Sequence, residues 1–264
     1  MTPTEPYLLA VSQLSLSMSG QQLLNSVDLN IQEGQRIAIL GANGAGKTTL
    51  LRCLLGLIQP DSGQVLLQGE NIRYLPRCDI ARKIAYVPQG LNAEIPFSVR
   101  DFILMSRYSR PGASHGLIAK DDEGLEIAYT MMQHAGIEHL AHRSLNTLSG
   151  GERQKASIAA ALTQQAPILI LDEPAAHLDP KQQDSIQLSL DEIQQFKNHT
   201  IITVTHDLNW AAGNYDRLVG LKKGSIISDS SPKEFMTSDN LCSIFDANWE
   251  IHPHPRTGRP TVIR

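Results

Sequence analysis

The octapeptide Gly41-Ala42-Asn43-Gly44-Ala45-Gly46-Lys47-Thr48, continued by Thr49, has the residue types that a bound polyphosphate needs around it. Its three glycines let the chain take positive φ and bring backbone N–H groups up to phosphate oxygens, where side chains would obstruct. Lys47 supplies a mobile point charge for terminal phosphates, and the Thr48 hydroxyl is a hard oxygen ligand suited to Mg²⁺. The pattern G-x-x-x-x-G-K-[ST] requires a strand before it and a helix after it; Arg36–Leu40 reads as the strand, and Thr49 to Leu55 as the helix. A helix beginning near Lys47 adds its positive end to the anion site. A second group, Asp172-Glu173, closes the apolar run Ile168–Leu171. Carboxylates at the C-terminal end of a buried strand stand where open α/β sheets bind ligands. Asp172 is read as a holder of the Mg²⁺ shell. Glu173, one residue on and facing the other side of the chain, is read as the group that polarises a water for attack on a γ-phosphate.

The elements that position these groups are short. Arg36–Leu40, Gln64–Leu67, Lys83–Val87, Ile168–Leu171 and Thr200–Val204 are β-branched or leucine-rich runs, several apolar on both faces, as buried strands are. Pro60-Asp61-Ser62-Gly63 is a turn before the second of them. Between the strands at Lys83 and Ile168 the periodicity is helical: Leu125, Ala128, Met132 and Ala135 recur at spacings of three and four, which predicts a helical insertion. Arg110 to Gly116 reads as an exposed loop, and the residues from Ser230 onward as an appended, proline-rich tail.

Composition narrows the classes. A chain of 264 residues that is 41% hydrophobic with 19 glycines is globular and large enough for a substantial core. With 23 Lys+Arg against 27 Asp+Glu, the net charge of −4 gives no ground for nucleic-acid binding through a basic face. Cys53, Cys78 and Cys242 form neither a disulfide framework nor a zinc site, which fits a reducing compartment. Arg36 is the first basic residue, so no export leader is expected. No apolar run approaches the roughly 20 residues of a bilayer span, so a membrane connection requires a partner.

Leu148-Ser149-Gly150-Gly151-Glu152-Arg153-Gln154 resembles the signature of the ATP-binding-cassette (ABC) ATPases, and lies between the two phosphate motifs as it does in that family. Ser149 with Glu152 is also a capping box, so a helix begins here, and the paired glycines open access to donors at its positive end. Gln89, in Tyr86-Val87-Pro88-Gln89, resembles the family's Q-loop glutamine, a ligand of Mg²⁺ and water. His206, in Val204-Thr205-His206-Asp207, resembles the switch histidine that bonds the γ-phosphate, and Leu178-Asp179 the D-loop, whose aspartate couples the two sites of a dimer. Aligning Leu14–Gly20 with the strand that carries the family's adenine-stacking aromatic puts Met18 there, and a thioether can pack on a ring at about 0.3–1.5 kcal/mol. Ala175 stands where the family often has threonine.

The resemblance implies an α/β fold: a P-loop NTPase with a RecA-type mixed sheet core, an antiparallel β subdomain and a helical insertion of ABC type. It implies one ABC ATPase domain over 1–264, with the nucleotide-binding core in 1–88 and 166–229, the helical part in 89–165 and a tail in 230–264. Gly41 to Thr49 with Met18 would bind ATP in one copy, while Ser149, Gly150, Gly151 and Glu152 serve the nucleotide of a second copy. Glu173, His206 and Gln89 would be the catalytic set, with Mg²⁺ held by Thr48, Gln89 and Asp172. The stretch Asn92–Arg107, the segment from Ser231 to Leu241 and the ending His252–Pro260 resemble subunits that energise import of iron-siderophore, haem or cobalamin complexes. Some of Phe97, Val99, Phe102, Ile103 and Met105 should line a groove for the permease, and the rest pack the insertion. His252 and His254 read as solvated rather than metal-bound. The implied assembly is a homodimer beneath two permease subunits, at the cytoplasmic face of the inner membrane, with a periplasmic or lipoprotein binding protein acting indirectly and no nucleic acid. Another ABC importer, an exporter subunit and a soluble cassette ATPase acting on ribosomes or DNA are the alternatives. A P-loop kinase or GTPase would not explain Leu148–Gln154.

Overall fold

The computed structural model describes residues 7–90, 95–110, 122–176, 178–197 and 199–263, which form two compact units, Met1–Leu75 with Thr200–Arg264, and Pro76–His199. Asn92–Glu94 of the stretch resembling importer subunits, 111–116 of the expected loop and His177 of the D-loop stretch lie outside the described residues.

The first unit opens with strands β1 (Leu9–Met18) and β2 (Gln21–Ile31), joined by Ser19-Gly20. Both turn residues have positive φ, 51° and 78°, as a two-residue hairpin with a right-handed twist requires. Strand β3 (Arg36–Leu40) leads through the glycine loop into α1 (Lys47–Leu54), and β4 (Ser62–Leu67) and β5 (Glu70–Asn71) follow. The antiparallel order is β2-β1-β4-β5.

In the second unit α2 (Arg77–Lys83) precedes β6 (Ile84–Val87), and α3 (Val99–Met105), α4 (Asp122–His134) and α5 (Gly150–Thr163) make the helical part. Strand β7 (Ile168–Asp172) and α6 (Pro180–Lys197) complete it. Strands β6 and β7 are parallel, Val87 opposite Leu171.

The chain then returns to the first unit with β8 (Thr200–Val204), α7 (Leu208–Asn214), β9 (Arg217–Lys222) and β10 (Ser225–Ser230). Helices α8 (Pro232–Phe235) and α9 (Ser238–Phe245) and the hairpin β11 (Glu250–Pro253) with β12 (Pro260–Ile263) end it. Strand β3 is parallel to both β8 and β9, and β10 runs antiparallel to β9. Every residue of β7 and β8 is buried, which is why these runs are apolar throughout instead of alternating. All five strands anticipated from the apolar runs are present within two residues of the expected bounds.

The helical part has its own core: Val99, Ile103, Ala128, Met132, Leu145, Leu148, Ala156 and Ala159 pack together, drawn from α3, α4, α5 and the intervening turns. Ala128, Met132 and Ala135 are buried as the spacing predicts, with Leu125 half-buried. The start of α3 is fixed by main-chain bonds from Val99 N to Arg143 O (3.0 Å) and from Leu145 N to Phe97 O (3.0 Å). Among the described residues no helix is long and apolar enough to cross a membrane. Truncation of the fully buried Met132 to alanine leaves a cavity in this small core and should cost about 2–5 kcal/mol. Urea unfolding followed by far-UV circular dichroism measures it, and a loss below about 0.5 kcal/mol would mean the cluster is not a packed core.

Candidate nucleotide site

Gly41 to Thr48 joins β3 to α1 as the pattern requires, with Ala42, Asn43, Gly44 and Thr48 exposed on its crest and Thr49 half-buried. Two positions tolerate glycine alone. A Cβ on Gly41 would stand 2.3 Å from the Leu221 carbonyl oxygen; Gly46 has φ 105°, and its Cβ would meet the Leu23 carbonyl oxygen at 2.6 Å. The loop is pinned from outside. Gly224 N donates to Ala45 O (2.9 Å) and Asn25 N donates to Gly224 O (2.8 Å), so the β9–β10 turn ties the loop to β2.

Helix α1 begins at Gly46, which has no side chain to cap it, and no acidic residue stands in its first turn. Among the described α-helices this start is unlike the others: α3, α5, α6, α7 and α9 are capped by Ser98, Ser149, Asp179, Asp207 and Thr237, and α2, α4 and α8 carry acids in their first turns. With no side-chain cap bond at Gly46 and no acid in the first turn, the positive end of α1 is arranged to suit an anion. The buried Lys47 folds over the loop, its Nζ donating to Gly41 O (2.8 Å) and Ala42 O (3.1 Å). Met18, the last residue of β1, is 51% exposed.

His206 leaves the same edge of the first unit. Strands β3 and β8 are in parallel register with Ile39 opposite Val204, so two residues further on Gly41 and His206 stand at the same level of neighbouring strands. His206 is exposed, between Thr205, whose N donates to Ile39 O (3.1 Å), and Asp207, which caps α7 through Oδ1 (2.9 Å from Trp210 N).

In the second unit the register of β6 and β7 carries Pro88 level with Asp172 and Gln89 level with Glu173. Gln89 Nε2 donates to Glu173 Oε2 (3.3 Å), so two residues read separately from the sequence are in contact. Asp172 is buried, with Tyr86 OH at 3.5 Å from its Oδ2. Glu173 has φ 49°, a left-handed backbone that costs a non-glycine residue about 1–3 kcal/mol and marks a position held by its surroundings.

The expected capping box is present at α5. Ser149 N and Oγ each donate to Glu152 Oε2 (both 2.8 Å), and Glu152 N donates to Ser149 Oγ (3.3 Å). These bonds, first that from the Ser149 backbone and then that from its hydroxyl, hold the Glu152 carboxyl below the usual glutamate range. Ser149 and Gly150 are exposed, and nothing lies within 4 Å of where a Gly150 Cβ would be; Gly151 is buried against Gln182. The signature bonds close on themselves and involve neither Gln89 nor Glu173. Asp179 caps α6, accepting from Gln182 N (2.8 Å) ahead of Pro180 at the first helical position. The Asp-Pro pair signals that cap in the sequence, whereas the contacts of Tyr86 and Gly224 have no local signal. Of the apolar residues after Gln89, Val99 and Ile103 are buried, Phe97 and Phe102 are half-buried, and Met105 is 46% exposed.

A phosphate-cradling loop after a parallel strand, together with paired carboxylates at the end of another, defines a P-loop nucleotide-binding protein. Residues 24–176 match the family model described as ABC transporter, and the chain belongs to the ABC transporter family as one of its ATP-binding cassettes. It is similar to the ferric enterobactin transport ATP-binding protein FepC of Escherichia coli, 35% identical over 251 residues covering 95% of this chain and 92% of that one. The cobalamin import ATP-binding protein BtuD of Halobacterium salinarum is 34% identical over 254 residues, 96% of this chain; the chain spans 63% of that relative's length. Among solved structures, an inward-facing ABC transporter described as of metal-chelate type superposes with a TM-score of 0.83 at 26% identity, covering 98% of this chain and 97% of that one.

Replacing Ser149 with alanine removes the cap and should destabilise the start of α5 by about 0.5–2 kcal/mol. Because the folded state lowers the Glu152 pKa, its contribution is complete above the ordinary glutamate range and is lost as pH falls through the lowered value. Amide exchange of residues 150–153 should therefore quicken on acidification in the parent, and be fast and nearly pH-flat, after correction for intrinsic exchange, in Ser149→Ala. Equal protection in both proteins would contradict the box.

Proposed function

We propose that the chain is the ATP-hydrolysing subunit of an importer that carries a metal chelate, a ferric siderophore, haem or cobalamin, across a bacterial inner membrane. It works as a homodimer on the cytoplasmic face beneath two permease subunits, with a binding protein delivering cargo from outside. In this reading 1–88 and 166–229 are the nucleotide-binding core, 89–165 the helical part and 230–264 the tail; the self-contained core built from residues 99–160 supports that division.

The loop from Gly41 to Thr49 holds the phosphates, Lys47 moving from the loop carbonyls to the β- and γ-oxygens, and Met18 packs on the base. Thr48, Asp172 and Gln89 supply the hard oxygen donors that suit Mg²⁺, which when bound neutralises phosphate charge. Glu173 orients and polarises the attacking water, and His206 bonds the γ-phosphate. Ser149, Gly150, Gly151 and Glu152 complete the phosphate site of the second copy, and Asp179 links the two sites. Two copies close over two ATP molecules and reopen once the γ-phosphate contact is lost.

The contact between Gln89 and Glu173 carries the hydrolytic reading, because it brings a water-orienting amide to the carboxylate beside Asp172. Likeness over nearly the whole of this chain to proteins named for ferric enterobactin and cobalamin import supports the cargo class. Catalysis by positioning and charge implies that Glu173→Gln keeps ATP binding, accumulates an ATP-bound dimer and lowers turnover by about two orders of magnitude or more. Phosphate release and size-exclusion chromatography with ATP check this; turnover at the parent rate would remove Glu173 from the reaction.

A further inference from the structure

The ending that composition marks as a proline-rich tail is a built element. Strands β11 and β12 pair at four positions, and their connection is closed by His254 N donating to Arg259 O (2.7 Å) and Gly258 N to His254 O (2.8 Å). The His254 Nδ1 accepts from Arg256 N and Thr257 N (both 3.3 Å), which gives this imidazole a structural task. At one end the hairpin is tied to α9, Ser238 Oγ donating to Trp249 O (2.8 Å) and Phe245 meeting Trp249 edge to face at 6.2 Å between centroids.

Near the same open end, where Val262 lies opposite Ile251, β12 is tied to α7 through the Asn209 side chain. Asn209 Nδ2 donates to Val262 O (3.0 Å) and Val262 N donates to Asn209 Oδ1 (2.7 Å), so the amide pairs with β12 as a neighbouring strand would. Val262 is buried there.

Helix α7 has seven residues, too few to hold its own geometry, so its orientation is set by what it touches. Leu208, Ala211 and Ala212 form its buried base, and after its last turn Tyr215 OH donates to Thr203 Oγ1 (2.7 Å). The first turn, which begins at the Asp207 cap one residue after His206, has the Asn209 pair as its polar tether.

We infer that Asn209 is a positioning residue, through which the C-terminal hairpin braces the first turn of α7 and so fixes where His206 presents its imidazole. The inference rests on the proposed role of His206 at the γ-phosphate. Nothing in it requires the hairpin to touch nucleotide. Releasing the tether leaves the first turn of α7 held by the buried Leu208 and by Asp207 N on Thr205 Oγ1 (3.1 Å) and lets it shift on them, and a displacement of about 1 Å at a reacting group can cost as much as 100-fold in rate.

The experiment compares Asn209→Ala, His206→Ala and, as a control, Asn214→Ala in the full chain. Asn214 lies at the far end of α7 and, among the described residues, its side chain bonds within the helix, donating to Trp210 O (2.8 Å). Steady-state ATP hydrolysis and amide exchange at 249–263 are measured on each, with the side-chain NMR signal of His206, assigned from its loss in His206→Ala. Asn209→Ala is expected to speed exchange at Val262, move the His206 signal and lower kcat about tenfold with KM for ATP unchanged, while Asn214→Ala does none of these. If exchange at Val262 speeds up in Asn209→Ala but kcat and the His206 signal stay at parent values, the hairpin is a passive appendage and the inference is overturned. Unchanged exchange at Val262 overturns the tether itself. Parent-like hydrolysis by His206→Ala removes the role of His206, and the inference falls with it; impaired His206→Ala beside unimpaired Asn209→Ala overturns the inference alone.

Discussion

A helix that starts from a glycine, with no side-chain cap bond and no acid in its first turn, is the constraint around which the first unit is arranged. Such a start leaves N–H groups to solvent or to an anion, and an anion also answers the helix dipole; the rest of the architecture holds the chain in that condition. The Leu221 and Leu23 carbonyls crowd Gly41 and Gly46 so closely that only glycine fits. The β9–β10 turn, through Gly224, pins the loop to β2, and β3 is buried on both faces and cannot shift. Even the Lys47 ammonium is satisfied by the loop's own carbonyls, a pair of bonds that a phosphate can replace with stronger, charge-assisted ones.

The two glycine-flanked helix mouths of this chain are built oppositely. At α1 the protein withholds every cap, whereas at α5 it supplies a complete one, with Ser149 and Glu152 bonded to each other. A mouth closed by its own carboxylate is a weaker attractor for phosphate than an open one, but Gly150 leaves its approach unobstructed and the Ser149 hydroxyl is exposed. This asymmetry suits a principal phosphate site on one copy and an auxiliary face offered to another. Glu173 alone among the proposed catalytic set carries a left-handed backbone, and Gln89 steadies its side chain.

Much of this was legible because the residues concerned act locally. The buried strands announce themselves by uninterrupted apolar runs, the Ser149–Glu152 box by its spacing, and the glycine loop by its pattern. What could not be read depends on distant partners. Strand β9 includes Gly220, which weakens its signal but is required because a Cβ there would meet Ile244 Cδ1 at 2.4 Å. The C-terminal hairpin reads as irregular because Pro253 and Pro260 lie within its strands, yet they face each other at its end, where a missing donor does little harm. The contact of Gln89 with Glu173 follows from the register of β6 on β7, which no stretch of sequence displays by itself.

The claim that governs the whole reading is that Ser149 serves the nucleotide held by the other copy's loop. Complementation tests it most directly. Lys47→Ala and Ser149→Glu chains are each prepared as inactive homodimers and then mixed with ATP. If the sites are shared, a mixed dimer joins the intact loop of one chain to the intact signature of the other, and hydrolysis returns to a substantial fraction of the parent rate. Mixtures that stay as inactive as the separate variants, although mixed dimers form, would contradict sharing and confine Ser149 to its own chain.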